Sequence, residues 1–382
     1  MMKYLLVIFS AFLLVKCTPE KNKDQSNPLK TKEEMELRLQ AILDSMYLKA
    51  PKTKGIIMHV EAPDVQISWN AASGWADSTS HRKLQPNDPA LIASITKMYL
   101  SASILRLVEN GAIQLQQSIS ELLSEGRLNQ LEEAGYDVNL ITVAHLNSQT
   151  SGIFDYVNTV MYQNMTNLNP GHVWARDEQI ELALTEQPLF APGEKFAYSE
   201  TNNLLLTEIL ERQTDKPFYL AMRDLLAYEK FGLKYTWFNW LEMAPKDVSP
   251  LVHQFATGYD VDSYSMHPSF DVYGGGGIAA TAADVARFTQ LLFSGEIFEK
   301  TETTELLFET IQTKDQIEGK YYMGIAQTKL GEYTAYGHGG FWGTTTQYFP
   351  ELNASVSIFF MERDEWPKYL DMLEQVAEVL DQ

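Results

Sequence analysis

The sequence predicts an α/β (α+β) fold in which a mostly antiparallel sheet, flanked by helices, is built from both ends of the chain around an inserted all-helical lobe. Strand-like apolar segments occur near the N-terminus and again near the C-terminus. These segments are 55–60, 65–71, 321–327, 333–338, 344–350 and 355–361. The chain from about residue 95 to residue 230 instead shows helical spacing, which indicates the lobe, expected at roughly 100–260.

Two further helices are predicted outside the lobe, one near each end of the folded domain. Apolar residues recur every three or four positions in 32–49 and again in 366–380. Both segments are therefore predicted to be helices with one apolar face.

The composition indicates a globular protein. The 382 residues are 45% hydrophobic and 21% charged, which excludes a disordered chain. The length suggests two lobes or one large domain with a large insertion. Thirty basic and 50 acidic residues give a formal net charge of −20, which argues against a nucleic-acid partner because such binding needs clustered basic residues. The single cysteine excludes an intrachain disulfide and a cysteine-based zinc site.

The first residues have the features of an export signal. Lys3 is followed by an apolar run of 12 residues from Tyr4 to Val15, shorter than the roughly 20 that a membrane-spanning helix needs. Cys17 follows this run at the place where bacterial lipoprotein signals carry the lipidated cysteine. An ordinary signal peptide and a cytoplasmic protein are the alternatives.

We therefore expect an exported bacterial lipoprotein that faces the periplasm or the cell surface. Residues 1–17 are the predicted signal with its lipidation site, and the polar segment 18–31 is the predicted flexible tether. Residues 32–382 are the predicted folded domain.

Several familiar catalytic and binding motifs are absent from the sequence. It contains no G-x-S-x-G, no G-x-x-x-x-G-K-[ST] and no H-E-x-x-H. The four glycines at 274–277 are not followed by Lys-Ser/Thr, so they predict a tight turn or close backbone packing instead of a phosphate cradle. The seven histidines are scattered, and neither a metal nor another cofactor is expected.

Two S-x-x-K motifs remain. On a helix, residues i and i+3 share a face, so the lysine amine can reach the serine hydroxyl and activate it as a nucleophile. Ser80 and Lys83 lie in a charged stretch, where the match is expected to be accidental. Ser94 and Lys97 open an apolar helical run that ends at Gly111, and a helix start supplies backbone N–H groups for an oxyanion. The alternative for Ser94 is an ordinary helix N-cap.

The S-x-x-K motif at Ser94 is followed along the chain by further recognisable segments. They are SITK at 94–97, GAIQLQQSISELL at 111–123, ITVAHLNSQTSGIFDY at 141–156, APGEKFAYSETNNLLLTEILER at 191–212, GGGGIAATAADVARF at 274–288 and GHGGFWGT at 337–344. In these segments and their order, the sequence from about 55 to 362 resembles the serine β-lactamase and penicillin-binding protein superfamily. The similar branch contains class C β-lactamases, D-Ala-D-Ala carboxypeptidases and esterases. The resemblance implies a site in the cleft between the sheet and the helical lobe.

The resemblance also implies catalytic roles. Ser94 would attack an acyl carbon and become acylated, while Lys97 and Tyr198 move the proton between Ser94 and the leaving group. Backbone N–H groups of Ser94 and Phe341 would form the oxyanion hole, with Phe341 following the third motif on an edge strand.

The substrate-binding residues implied by the resemblance are Glu200, His338, Gly339 and Gly340, and two of them depart from the family pattern. Glu200 replaces the Asn of the family's Tyr-x-Asn motif, and an ionised carboxylate cannot donate a hydrogen bond. Gly339 lacks the hydroxyl that the third motif usually carries. Both changes fall on groups that recognise β-lactams and D-Ala-D-Ala peptides.

We therefore predict a serine acyl hydrolase for an ester or a peptide, of the esterase or D-Ala-D-Ala carboxypeptidase type, with weak β-lactam turnover. Glu200 is expected to hold Lys97 as an ammonium ion and to leave Tyr198 as the working base. The expected partners are a small acyl or peptide substrate and, through the lipid anchor alone, a membrane. The alternatives are a non-catalytic penicillin-binding-like module that binds cell-wall peptide, and a purely structural lipoprotein.

Overall fold

The computed structural model describes residues 31–77, 81–311, 313 and 321–382. The predicted signal, its lipidation site Cys17 and nearly all of the predicted tether lie outside the described residues. Within the described ranges, no helix is long and apolar enough to cross a membrane.

Helices and strands are joined by turns and short 3₁₀ segments. The helices are α1 (Lys32–Lys49), α2 (Thr96–Glu109), α3 (Glu125–Glu133), α4 (Val143–Asn147), α5 (Val160–Leu168), α6 (Arg176–Ala183), α7 (Glu200–Thr214), α8 (Phe218–Leu225), α9 (Tyr228–Phe231), α10 (Ala282–Phe293), α11 (Thr301–Leu306) and α12 (Tyr369–Leu380). The strands are β1 (Gly55–Ala62), β2 (Ile67–Asp77), β3 (Arg82–Lys83), β4 (Ala90–Leu91), β5 (Thr236–Phe238), β6 (Phe255–Ala256), β7 (Val261–Asp262), β8 (Ile278–Ala280), β9 (Ala326–Leu330), β10 (Tyr333–Gly340), β11 (Thr344–Phe349) and β12 (Ala354–Phe360).

The large sheet joins the two ends of the described chain. Its strand order is β3-β2-β1-β12-β11-β10-β9, and each neighbouring pair is antiparallel. At the centre β1 pairs with β12, with Ile56 opposite Phe360. Helices α1 and α12 pack on one face and α10 on the other, so β12 is buried along its whole length. The predicted fold class is confirmed.

One predicted strand begins later than expected. The sequence predicts a strand over 321–327, but β9 begins at Ala326 because the preceding residues form a turn. Gly324 has a φ of 70°, which favours glycine, and a Cβ there would lie 2.6 Å from the Cβ of Ser101 in α2. The turn therefore packs directly on α2 and holds Tyr321 beside the cleft.

The strand that carries the third motif is also placed differently from the prediction. It is expected at the edge of the sheet, but β10 is the second strand because β9 pairs with it on the outside. That pairing ends where Gly337 lies opposite Ala326. Residues 338–340 therefore extend past β9, and the outer side of this short stretch stays free of that strand.

Helix α2, which follows Ser94, is buried among other helices. Helix α2 packs against α7, α8 and α11, and its residues from Thr96 to Leu105 are all buried. Helix α4 packs against α7. This packing fixes the first turn of α2 against the sheet, where the predicted site residues lie.

Candidate active site

Ser94 lies in a 3₁₀ turn, Ala93–Ile95, that runs directly into α2. Ala93 has a φ of 44°, a left-handed conformation that is uncommon for a residue with a side chain. All residues from 90 to 100 are buried except Ser94, which is half-buried and so reaches the cleft. The N-cap of α2 is Ile95 and makes no side-chain cap, so the interpretation of Ser94 as an N-cap is wrong.

Lys97 is one turn along and almost completely buried, with 2% of its surface exposed. Its Nζ lies 2.8 Å from the Ser94 hydroxyl oxygen, 2.8 Å from a Glu200 carboxylate oxygen and 2.5 Å from the Gly275 carbonyl oxygen. An ammonium group has three N–H donors, and three acceptors surround it here. A buried cation needs such partners, so the geometry suits a Lys97–Glu200 ion pair.

The glycine run supplies the third acceptor. Gly274 and Gly277 have φ values near 90°, so the chain turns sharply between them. A Cβ at Gly275 would lie 2.2 Å from a Glu200 carboxylate oxygen, so only glycine allows this close approach. The predicted role in close backbone packing is confirmed.

Tyr198 lies two residues before α7 and faces the same lysine. Its ring centre lies 5.1 Å from the Lys97 Nζ. Burial, and next the Glu200 charge, raise the pKa of Tyr198 well above its ordinary value, although a hydrogen bond with Ser94 acts in the opposite direction. The resting site therefore favours a neutral phenol, whereas the sequence-based hypothesis makes Tyr198 the working base.

Two more carboxyl groups surround the Lys97–Glu200 pair. Burial and the Glu200 charge raise the pKa of Asp155 to about 7 and that of Asp271 to about 8. The Asp155 carboxylate also accepts a 3.2 Å hydrogen bond from the Glu200 backbone N–H. It thereby caps α7, whose own N-cap residue, Ser199, makes no side-chain cap.

Sequence reasoning gave no role to Asp155, Asp271 or Tyr321. Asp155 lies inside a segment that carries the resemblance, and Asp271 lies three residues before the glycine run. The sequence signal that could have identified these two aspartates is the position of each carboxylate close to a recognised motif. Within the described ranges, no group of three or more His, Cys, Asp or Glu side chains could hold a metal ion.

The opposite wall is formed by aromatic rings and a neutral histidine. The His338 Nδ1 lies 2.7 Å from the Gly339 carbonyl oxygen, which can only accept, so Nδ1 carries the proton. Nε2 is then the acceptor for the Tyr321 hydroxyl at 3.3 Å. Burial, and next the Lys97 charge, lower the pKa of His338 to about 3. His338 is therefore uncharged near neutral pH.

The atoms around the two glycines of the third motif leave no room for a side chain at either position. A Cβ at Gly340 would lie 2.2 Å from the carbonyl oxygen of Ile92, which also accepts a 3.1 Å hydrogen bond from Thr344. Gly340 therefore packs against Ile92, two residues before Ser94, while the oxyanion role of the next residue, Phe341, stays a prediction. A Cβ at Gly339 would lie 2.4 Å from the Trp366 ring.

The arrangement of a serine, a lysine and a tyrosine around one cleft agrees with a match to known proteins. The family model described as Beta-lactamase matches residues 60–381. The chain belongs to the Beta-lactamase family.

Relatives within this Beta-lactamase family differ in their named activities. Penicillin-binding protein 4* of Bacillus subtilis (strain 168) is 20% identical over 342 residues, which are 85% of this chain and 71% of that protein. Esterase EstB of Burkholderia gladioli is 26% identical over 204 residues, which are 51% of this chain and 50% of that protein.

A solved structure shares the fold. D-amino acid amidase from Ochrobactrum anthropi SV3 superposes with a TM-score of 0.76 at 19% identity, covering 91% of this chain and 99% of that chain. The fold is therefore that of β-lactamases and transpeptidases. The Beta-lactamase family places the chain in a superfamily of serine hydrolases.

Proposed function

We propose that this protein is a serine acyl hydrolase that forms an acyl-enzyme on Ser94. The observation that carries the proposal is the 2.8 Å hydrogen bond between the Lys97 amine and the half-buried Ser94 hydroxyl. A serine is a weak nucleophile unless a base lies within hydrogen-bond distance of its proton. Lys97 meets that requirement, and Tyr198 provides a second proton-carrying group at the same hydroxyl.

Lys97 and Glu200 together can take the Ser94 proton. Because the lysine amine lies 2.8 Å from both the serine oxygen and a Glu200 oxygen, it can pass one proton to Glu200 while it accepts another from Ser94. The Ser94 oxygen then bonds to the acyl carbon of the substrate. The carboxylate thus serves as the final proton acceptor of the acylation step.

Tyr198 provides the proton for the leaving group. Its raised pKa keeps the phenol protonated at rest, so it can donate as the bond between the acyl carbon and the leaving group breaks. The Tyr198 phenolate then takes a proton from the water that attacks the acyl-enzyme. Lys97 returns a proton to Ser94, and Glu200 gives its proton back to Lys97.

We propose an ester or a peptide as the substrate, with slow turnover of β-lactams. Both carboxylate oxygens of Glu200 lie within 3 Å of the Lys97 Nζ, and neither can donate to a substrate amide carbonyl. Gly339 offers no hydroxyl. Penicillins and cephalosporins thereby lose two recognition contacts, while a simple ester needs neither.

A binding module without turnover is the second candidate. The observation that favours it is the same Lys97–Glu200 ion pair, because an ammonium group whose three N–H donors face three acceptors has no lone pair for the Ser94 proton. In that case Ser94 would bind acyl compounds without releasing products.

Covalent labelling tests the proposal. We expect intact-protein mass spectrometry to show one fluorophosphonate adduct on the wild type, none on Ser94→Ala, and an unchanged adduct on the matched control Ser80→Ala. Ser80 belongs to the accidental S-x-x-K motif and lies outside the described residues. A wild type that stays unlabelled, or an adduct that survives in Ser94→Ala, contradicts the proposal; an adduct without ester or peptide turnover supports the binding module.

We also propose export and lipidation, on the basis of the apolar run from Tyr4 to Val15 and the cysteine, Cys17, that follows it. Cys17→Ser should release the protein from the membrane fraction, while a Lys21→Ser control should not. Mapping the mature N-terminus by mass spectrometry decides the matter, since cleavage at any other residue contradicts lipidation at Cys17.

A further inference from the structure

Tyr198 belongs to neither a helix nor a strand. It lies in the stretch 196–199, which has no regular secondary structure and ends where α7 begins at Glu200. A proton carrier must nevertheless keep its hydroxyl within hydrogen-bond distance of Ser94, because a displacement of about 1 Å can lower a rate by about 10²-fold. Contacts from another part of the chain are therefore needed to hold the backbone at Tyr198.

Gln149 holds the chain on both sides of Tyr198. Its backbone carbonyl oxygen accepts a 3.0 Å hydrogen bond from the Ala197 N–H, and its side-chain Oε1 accepts a 2.9 Å hydrogen bond from the Ser199 N–H. Ala197 and Ser199 are the two residues that flank Tyr198. A single glutamine thus fixes both neighbours of the tyrosine.

The side chain of Gln149 is itself fixed. Only 1% of the residue is exposed, so it is buried too deeply to contact a substrate. Its Oε1 accepts a second hydrogen bond, of 2.7 Å, from the Asn202 Nδ2 in α7, and the Asn202 Oδ1 accepts a 2.6 Å hydrogen bond from the Ser151 hydroxyl. Loss of the Gln149 oxygen would leave two buried donors, the Ser199 N–H and the Asn202 amide, without this acceptor.

The backbone of Gln149 adopts a conformation that disfavours a side chain. Its φ of 62° lies in the left-handed region, which is uncommon for residues other than glycine and costs free energy. Glycine would adopt this conformation easily but would lack the oxygen that reaches Ser199. The surrounding hydrogen bonds therefore stabilise a strained residue directly beside the tyrosine segment.

We propose that Gln149 is a positioning residue that acts through Tyr198, holding the phenol at the Ser94 hydroxyl. The inference rests on the function proposed for Ser94 and adds a residue that touches neither the substrate nor the reacting atoms. Its effect on the rate depends on the Tyr198 hydroxyl, so it disappears when that hydroxyl is absent.

The test is a double-mutant cycle on a nitrophenyl ester. Gln149→Met keeps nearly the length of the side chain but removes the oxygen, so kcat should fall by roughly 10- to 100-fold with little change in KM. In the Tyr198→Phe background, the same substitution should lower kcat by less than about threefold, since residues that act as a unit are not additive.

Two further variants keep the test clear of general effects on stability. Gln290→Met removes another buried glutamine amide, which donates to Asn353 between β11 and β12, and should leave kcat unchanged. If Gln149→Met does not fold, Gln149→Asn gives the same comparison. Asparagine tolerates the left-handed conformation, and its side chain is one methylene too short to reach Ser199 as Gln149 does. Thermal unfolding shows whether each variant is folded.

The outcomes separate this inference from the proposed function. Equal losses of kcat in the two backgrounds overturn the inference, because they indicate a general structural role. A folded Gln149→Met variant with near-normal kcat, or a Tyr198→Phe variant with near-normal kcat, also overturns it while leaving Ser94 as the nucleophile. A Ser94→Ala variant that still hydrolyses the ester overturns the proposed function, and the inference falls with it.

Discussion

The two walls of the cleft are built on different physical principles. The helix wall is Ser94, Lys97, Tyr198 and Glu200, and the strand wall is His338, Gly339 and Gly340. The helix wall concentrates charge around one buried ammonium group, which has three acceptors within hydrogen-bond distance. The strand wall contains a neutral imidazole and two glycines without side-chain donors. In the proposed mechanism, all side chains that move protons therefore lie on the helix wall.

The largest effect is expected on the helix wall, from Tyr198→Phe. The substitution keeps the ring but removes the proton donor for the leaving group, so kcat should fall by about 10²- to 10⁴-fold with little change in KM. Steady-state kinetics on a nitrophenyl ester measure this, with Tyr219→Phe in α8 as the control. A Tyr198→Phe variant with near-normal kcat would remove the tyrosine from the mechanism.

Glu200→Asn should lower the rate on every substrate, because it removes the proposed acceptor of the Ser94 proton, and should also change the substrate preference. Asparagine restores a donor for an amide carbonyl, which is worth about 1–3 kcal/mol if the carbonyl is otherwise unpaired, so the ratio of β-lactam to ester kcat/KM should rise. Nitrocefin and a nitrophenyl ester give the ratio. Glu125→Asn, at an exposed site in α3, is the control, and an unchanged ratio for Glu200→Asn contradicts the assigned recognition role.

Asp271 makes the helix wall sensitive to pH. Burial and the Glu200 charge raise its pKa from 3.8 to about 8, so the folded state binds more protons than the unfolded state between those values. Stability is therefore highest below pH 4 for this group and falls as the pH rises toward 8. In urea unfolding at pH 5 and at pH 8, the free energy of unfolding of Asp271→Asn, taken relative to that of the wild type, should be higher at pH 8.

The exposed Asp371→Asn variant serves as the control for that experiment. It should follow the wild-type pH dependence throughout the range. If the free energy of unfolding of Asp271→Asn also shows the wild-type pH dependence, the pKa of Asp271 is not raised in the folded state.

The smallest effect on chemistry is expected on the strand wall, from Gly339→Ser. Its Cβ would lie 2.4 Å from the Trp366 ring, so the change should cost about 1–3 kcal/mol of stability. It should not improve β-lactam turnover, because the ring occupies the space of the new side chain. Thermal unfolding and nitrocefin kinetics check both statements.

Gly126→Ser is the matched control for that substitution. No atom lies within 4 Å of a Cβ at Gly126, and its backbone conformation suits an ordinary residue. If Gly339→Ser is as stable as Gly126→Ser, Trp366 moves aside easily and the strand wall is less constrained than the contact indicates.

The sequence predicts those parts of the site in which the contacting residues are close to each other along the chain. Ser94 and Lys97 are three residues apart on one helix, so their contact follows from helical periodicity. The glycine run predicts close packing because glycine alone tolerates it. The fold class follows from strand patterns at both ends of the chain, which have to pair with each other.

The parts that the sequence does not predict depend on distant contacts. Asp155 caps a helix that begins 45 residues later, and no local pattern marks that acceptor. Tyr321 reaches His338 only because the chain turns at Gly324, in a segment whose composition resembles a strand. The neutral state of His338 likewise depends on burial and on the charge of Lys97, which the sequence alone does not show.

The pairing of β1 with β12 has a consequence for biosynthesis. The strand wall and the strand at the centre of the sheet come from the last part of the chain, whereas Ser94 and Lys97 come from the first third. In the proposed mechanism, Ser94 lacks the backbone N–H of Phe341 until residue 341 has been added to the growing chain. We therefore expect the acylation of Ser94 by a substrate to begin only after most of the chain has been made and the strands at its two ends have paired.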